Sequence, residues 1–160
     1  TQTAIGLDGV KHFYRTITTP SEHALEEAFM DHMQLEARMN QPYAVDANET
    51  RLALFSHIGT LGITITANGF FGPQGRQLRI PLAMPAINEL LTSFSHKDAQ
   101  IINYEMESSA LYAIGRALGH RCLCLCVVIG NRLAGKFSKD YHPAIDYLIK
   151  TTLTTCSSDR

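Results

Sequence analysis

The segment from Arg121 to Ile129 constrains the fold most. Its alternating faces, Cys122/Cys124/Cys126 and Leu123/Leu125/Val127, are both apolar, and a strand that is apolar on both sides needs cover on both sides. Such a strand belongs at the centre of a sheet with helices on either face. The run is far too short to cross a bilayer, and Thr1 to Ile5 lack the charged and apolar regions of a secretion signal. A cytoplasmic chain with no membrane partner is therefore expected. The same alternation puts three thiols on one strand face. Cys-x-Cys-x-Cys is not a zinc-ligand spacing, so free, buried cysteines are expected and no metal site. A formal charge of -1 over 160 residues gives no basic excess for nucleic acid.

The remaining elements are consistent with that central strand. Thr1 to Ile5 reads as a strand, Gly6 to Gly9 as a turn or irregular loop, and Val10 to Tyr14 as strand-like or loop-like. A helix starts at Pro20 with Ser21 as its cap, and Leu25, Ala28, Phe29, His32 and Met33 line one face. His32 on that face is expected to pack against neighbours. Asp46 is placed to cap a second helix, with Glu49 reaching back and Leu52, Leu54, Phe55 and Ile58 carrying it to Gly59. Thr60 to Ala67 alternates and is β-branched, as strands are. Pro85 to Leu91 reads as a short helix and Ser95 to Gln100 as a polar connection. Gln100 to Tyr104 is a strand. It is followed by a helix with Met106, Ala110, Ala113, Ile114 and Ala117 on its stripe, widened by Leu111 and Leu118 and closed by Gly119. A last helix runs from His142 through Leu153, with the tail from Cys156 frayed. The order predicts an α/β fold with a mixed, largely parallel central sheet flanked by helices.

Polar side chains gather at three strand ends: Phe70, Gln74 and Arg76; Glu105 and Glu107; and Asn131 and Arg132. Open α/β sheets bind ligands at the carboxyl ends of their strands. A ring, an amide and a guanidinium within seven positions can stack on a flat heterocycle and read its edge, although a surface loop over a tucked aromatic has the same composition. One carboxylate at a helix start is explained by the unpaired N–H groups there. Two of them repel, and together they suit a ligand rich in hydroxyl donors. There is no Walker loop, no Gly-x-Gly-x-x-Gly after a strand and no nucleophile elbow, so nucleotide triphosphate, dinucleotide and triad chemistry are unsupported.

Phe70-Phe71-Gly72-Pro73-Gln74-Gly75-Arg76, Asn103-Tyr104-Glu105-Met106-Glu107-Ser108-Ser109 and Ile129-Gly130-Asn131-Arg132 occur in that order. On these motifs the chain resembles the uridine-cleaving branch of the nucleoside phosphorylase-I family, from about Ile5 to Leu153. The resemblance implies that Phe70 faces a pyrimidine ring and that Gln74 and Arg76 bind the uracil edge. It also implies that Glu105, Met106 and Glu107 line the ribose, with Glu107 holding its hydroxyls, and that Ile129 and Arg132 lie near the base. Glu107, Arg76 and Gln74 would be the catalytic set. Purine-selective relatives carry an aspartate at the Asn131 position. The implied reaction is phosphorolysis of uridine to uracil and ribose 1-phosphate, with inorganic phosphate as co-substrate and no cofactor. The implied assembly is a homo-oligomer built from dimers. No stretch matches the family's phosphate-binding segment. Residues 1–160 are therefore expected to be the C-terminal part of a nucleoside phosphorylase domain, with its N-terminal portion missing, and to be inactive in phosphorolysis alone. The alternatives are a purine nucleoside phosphorylase or nucleosidase of the same family, and a catalytically silent nucleoside-binding or assembly module.

Overall fold

A computed structural model describes residues 1–9, 18–35 and 41–158. The strand-like segment expected at Val10 to Tyr14 lies outside them. Strands β1 (Thr3–Gly6), β2 (Tyr43–Asp46), β3 (Ile63–Thr66), β4 (Ser95–His96) and β5 (Ala99–Glu105) form one sheet in the order β2-β1-β3-β5-β4. The β1–β3 and β3–β5 pairs are parallel, while β2 joins antiparallel to β1 and β4 antiparallel to β5. The sheet is thus mixed, with a parallel centre, as expected.

The strand buried on both sides is not the expected one. β1 and β3 are covered along their whole length. On one face, Ile5, Ile63 and Ile65 pack with Leu25, Phe29 and Met33 of α1 (Pro20–Met33) and Leu91 of α3 (Ile87–Ser93). There the rings of Phe29 and Phe94 meet edge to face, 5.3 Å apart. His32 packs on the same side, its Nε2 2.7 Å from the Leu90 carbonyl oxygen. On the other face, Ala4, Tyr43 and Val45 pack with Tyr112 and Ala113 of α4 (Ser108–Ala117).

Residues 121–129 join no ladder, and none of them is buried. The Asn48 N–H and the Thr1 ammonium donate to the carbonyls of Cys122 and Cys124, at 3.0 and 2.9 Å, and fasten the segment's start to the sheet. Its far end stands free of the core, with Val128 60% and Ile129 50% exposed. Two apolar faces need two covering surfaces, and the described residues supply part of one. The cysteines are free, as expected, but not buried: Cys122 and Cys124 are half-buried, and Cys126 and Cys156 exposed. The polar end of the segment instead forms a small hairpin of β6 (Gly130–Asn131) and β7 (Lys136–Phe137).

Several local expectations are corrected by neighbours distant in sequence or by proline geometry. Thr19, not Ser21, caps α1, because a residue before proline is held extended, as a cap must be, and Pro20 then begins the helix. The Thr19 hydroxyl accepts from the Glu22 N–H at 3.3 Å, and the Glu22 carboxylate accepts from the Thr19 N–H at 2.7 Å. Asp46 ends β2 instead of capping a helix, since its backbone is drawn into pairing with Thr3; Asn48 caps α2 (Glu49–Phe55). The polar connection at Ser95 to Gln100 is the β4–β5 hairpin, with Lys97 in the left-handed region at its turn.

Helix α4 closes as expected: Gly119 has φ +77°, and the N–H groups of Gly119 and His120 reach the carbonyls of Arg116 and Gly115. Its buried face, however, is Ser108, Ser109, Tyr112, Ala113 and Gly115, which leaves Leu111 and Leu118 outside. Polar anchors set this rotation. The Ser109 N–H donates to Thr66 Oγ1 at 2.9 Å, Ser109 Oγ donates to Asp8 at 2.7 Å, and Arg116 forms a two-pronged ion pair with Glu22 of α1. Helix α5 (His142–Ser158) includes residues 156–158 of the tail expected to fray, the rest of which lies outside the described residues, and none of its residues is buried. Among the described residues no helix is long and apolar enough to cross a membrane.

Candidate functional site

The three polar strand ends converge. Phe70, Gln74, Arg76, Glu105, Met106, Glu107, Ile129 and Arg132 all line one cavity of about 730 Å³. A second cavity of about 710 Å³, walled mainly by apolar residues such as Phe71, Leu78 and Leu82, shares only Arg76 with it. Convergent polar groups mark the first as the candidate site.

Gln74 is its best-fixed member. The strand β3 ends at Thr66, and the glycine- and proline-rich loop beyond it makes one 3₁₀ turn at Gly72–Gln74, closed by Gly75 at φ +70°. That turn carries Gln74 inward until it is 3% exposed. Its Oε1 accepts from Arg76 Nη1 at 2.9 Å and from Arg132 Nη2, while its backbone carbonyl accepts from Arg132 Nη1 at 2.5 Å. With Oε1 facing two guanidinium groups, the amide can take only one orientation. No described residue accepts from its Nε2 end. Each guanidinium is also carried by a ring: Arg76 lies 3.6 Å from the Phe70 centroid and Arg132 5.0 Å from that of Tyr104. Burial and the charge of Arg76 make Arg132 less basic than usual, though an arginine so shifted keeps its proton at neutral pH.

The two carboxylates occupy different environments. Glu105 Oε2 accepts from the N–H groups of Glu107 and Ser108 at 2.8 and 2.6 Å, and Oε1 accepts from Thr66 Oγ1 at 2.5 Å. It occupies the positive end of α4. Glu107 is exposed at the cavity wall, and its carboxylate accepts from the neighbouring Met106 N–H at 3.2 Å. Asn131 Oδ1 accepts from the Ala134 N–H at 3.0 Å and braces the β6–β7 turn.

Sequence reasoning did not single out Asn88, Tyr104 and Phe137, which also line the cavity. Tyr104 carried the one available signal, its place immediately before Glu105 at the strand end. Asn88 carried none, because its contacts are with Gly75 and Tyr104, 13 and 16 residues away.

A solved nucleoside phosphorylase of Trypanosoma brucei, described as showing uridine phosphorylase activity, superimposes on 98% of this chain with a TM-score of 0.83 at 23% identity. The fold is that of a nucleoside phosphorylase. The curated uridine phosphorylase of Thermococcus kodakarensis is 31% identical over 114 residues, 64% of this chain. The chain spans 56% of the solved relative and 38% of the curated one. No family model matches the chain. Within the nucleoside phosphorylase fold, the cavity lies where β3, β5 and the segment leading into β6 end. Its walls are therefore one turn, one helix start, one hairpin and a side of α3, each from a different part of the chain.

Proposed function

We propose that these residues form the base and ribose walls of a uridine phosphorylase, which cleaves uridine with inorganic phosphate to uracil and ribose 1-phosphate. The observation that carries this reading is Gln74. Its amide is locked with the N–H₂ end unpartnered, beside two arginines, so the wall offers donors to a base edge that bears carbonyl oxygens. Breaking the glycosidic bond leaves negative charge on the departing base and positive charge on the sugar. Donors from Gln74 and Arg76 stabilise the first, and they act more strongly where water is excluded. Glu107, not tied up in the helix start, is the carboxylate able to hold the ribose hydroxyls and offset the second. Glu105, with three hydrogen bonds already made, holds α4 and through it the position of Glu107. Phe70 and Met106 supply apolar surface to ring and sugar, and Ile129 with Arg132 closes the base end. The likeness in sequence to a protein described as a uridine phosphorylase, together with the nucleoside phosphorylase fold, supports the same reading.

Phosphate needs several donors in one place. Here the start of α4 is filled by Glu105, and both cavity arginines are engaged with Gln74. Among the described residues the cavity offers phosphate no free cluster of donors, and we assign phosphate binding to a partner, either a complementary half or a second copy in a dimer-based homo-oligomer of the cytoplasm. The uncovered apolar residues Val128 and Ile129, and α5 with no buried residue, are the surfaces available to such a partner. A purine-specific site is less well supported, because Asn131 brings no carboxylate to that wall and spends its amide oxygen on Ala134.

Calorimetry with uracil tests the base wall directly. The chain should bind uracil, and Gln74→Ala or Arg76→Ala should weaken binding at least tenfold; unchanged affinity removes those residues from the site. The 160-residue chain as a monomer should give no phosphate-dependent cleavage of uridine or inosine, and turnover by that monomer would refute the placement of the phosphate wall.

A further inference from the structure

We infer that Tyr104 is a positioning residue, setting the orientation of Gln74 through Arg132 on one side and Asn88 on the other. The inference rests on the reading of Gln74 as the base-recognising group. Besides Arg76, which donates to its Oε1 at 2.9 Å, Gln74 is gripped from two further directions. Arg132 comes from the β6–β7 hairpin and donates to both its side-chain and its backbone oxygen. Asn88, on α3, donates from Nδ2 to the Gly75 carbonyl at 3.3 Å and thereby holds the next residue of the turn. Both grips rest on the same strand residue. The ring of Tyr104 lies beneath the Arg132 guanidinium at 5.0 Å, and its hydroxyl donates to Asn88 Oδ1 at 3.2 Å.

The packing leaves little slack. A Cβ at Gly75 would sit 2.4 Å from Asn88 Nδ2, so the turn and Asn88 are already in close contact. Tyr104 itself is half-buried and packed against the core formed by α1, α3 and the sheet. Burial pushes its hydroxyl up to about 12, so it remains a neutral donor to Asn88 throughout the physiological range. One residue of β5 thus registers a hairpin and a helix against the same turn.

The test separates this arrangement from the functional reading. In ligand-free protein, the Arg132 side-chain Nε–Hε resonance should be shifted by the Tyr104 ring. Tyr104→Leu should move it and Tyr104→Phe should leave it nearly in place, whereas Tyr104→Phe should move the Asn88 amide. An Arg132 signal indifferent to Tyr104→Leu overturns the inference whether or not uracil binds. For function, loss of one neutral hydrogen bond in Tyr104→Phe should weaken uracil binding roughly threefold to tenfold, and Tyr104→Leu should weaken it more. In an Arg132→Met background, the excess effect of Tyr104→Leu over Tyr104→Phe should disappear. Full multiplication of the two losses would show that the ring does not act through Arg132 and would overturn the inference. If the resonances move as stated but the wild-type chain ignores uracil, the reading of Gln74 fails and the tyrosine-centred arrangement stands.

Discussion

Replacing Glu22 by glutamine probes the joint that holds α4, and with it Glu105 and Glu107, against the rest of the fold. Glu22 is 1% exposed. Its Oε1 accepts from Arg116 Nη2 and from the Asp46 N–H, both at 2.7 Å; Oε2 accepts from Arg116 Nη1 at 3.0 Å and from the Thr19 N–H at 2.7 Å. Glutamine keeps one oxygen. Whichever way its amide turns, the N–H₂ end faces two donors, one of them a guanidinium. Losing one neutral and one charge-assisted hydrogen bond, and leaving the arginine unbalanced, costs about 3 kcal/mol. That is the low end for a broken buried pair, because Arg116 is 35% exposed and keeps some water.

The cost depends on pH in a definite direction. Burial pushes the Glu22 carboxyl up, but hydrogen bonds from Arg116 and from the Thr19 and Asp46 N–H groups outweigh it and leave the group below its ordinary value. A depressed folded-state value means that the stabilisation is present above the unfolded value and lost as pH falls through the folded one. Urea unfolding at pH 7 should therefore show E22Q about 3 kcal/mol less stable than wild type, and the gap should shrink below roughly pH 4 as the wild-type carboxyl protonates. Burial pushes Asp46 up against the hydrogen bond from Thr3 and the Glu22 charge adds to that rise, so the same comparison in an Asp46→Asn background isolates the Glu22 contribution. A gap at pH 7 under about 0.5 kcal/mol, or one that persists undiminished at pH 3, would refute the ion-pair reasoning.

Two further predictions concern the site. Glu105→Gln should lower the melting temperature by several degrees, because a carboxylate at the start of α4 is lost along with its acceptor for Thr66, whereas Glu107→Gln should leave melting unchanged and weaken only ligands that carry a ribose. Uridine and uracil titrations of both variants check this, and equal effects on the two ligands would count against the division of roles. Gly75→Ala forces a side chain into a left-handed turn and against Asn88, so chemical denaturation should report a loss of about 1–3 kcal/mol, together with weaker uracil binding. Retention of both would show that the turn yields easily.

Local patterns carried much of the architecture. The β-branched alternation around Ile63–Thr66, the apolar spacing of Leu25, Phe29 and Met33, and Gly119 after α4 each settle a backbone state within a few residues, and the fold contains them as read. The three site motifs were legible for a related reason: unusual polar residues stand where strands end, and the parallel β3–β5 pairing brings those ends together. The roles inside the site were not legible. Two positions apart in sequence, Glu105 and Glu107 are chemically alike; only Thr66, on a neighbouring strand, and the N–H groups at the start of α4 make one of them structural.

The sequence by itself determined the long helices, the strands β1, β3 and β5, and the gathering of polar side chains at strand ends, since these depend on short-range spacing and chemical type; β2, the β4–β5 hairpin and the unpaired segment at 121–129 did not follow from it. Tertiary structure decided which strand is central, which face of α4 is inside and which amide end of Gln74 is free. Each of these depends on a partner tens of residues away: the sheet neighbours that bury β1 and β3, the Glu22, Asp8 and Thr66 groups that set the rotation of α4, and the two arginines that turn Gln74. The segment from Arg121 to Ile129 shows the same division most clearly. Its pattern states that both faces need cover, and only the packed chain shows that the described residues bury neither.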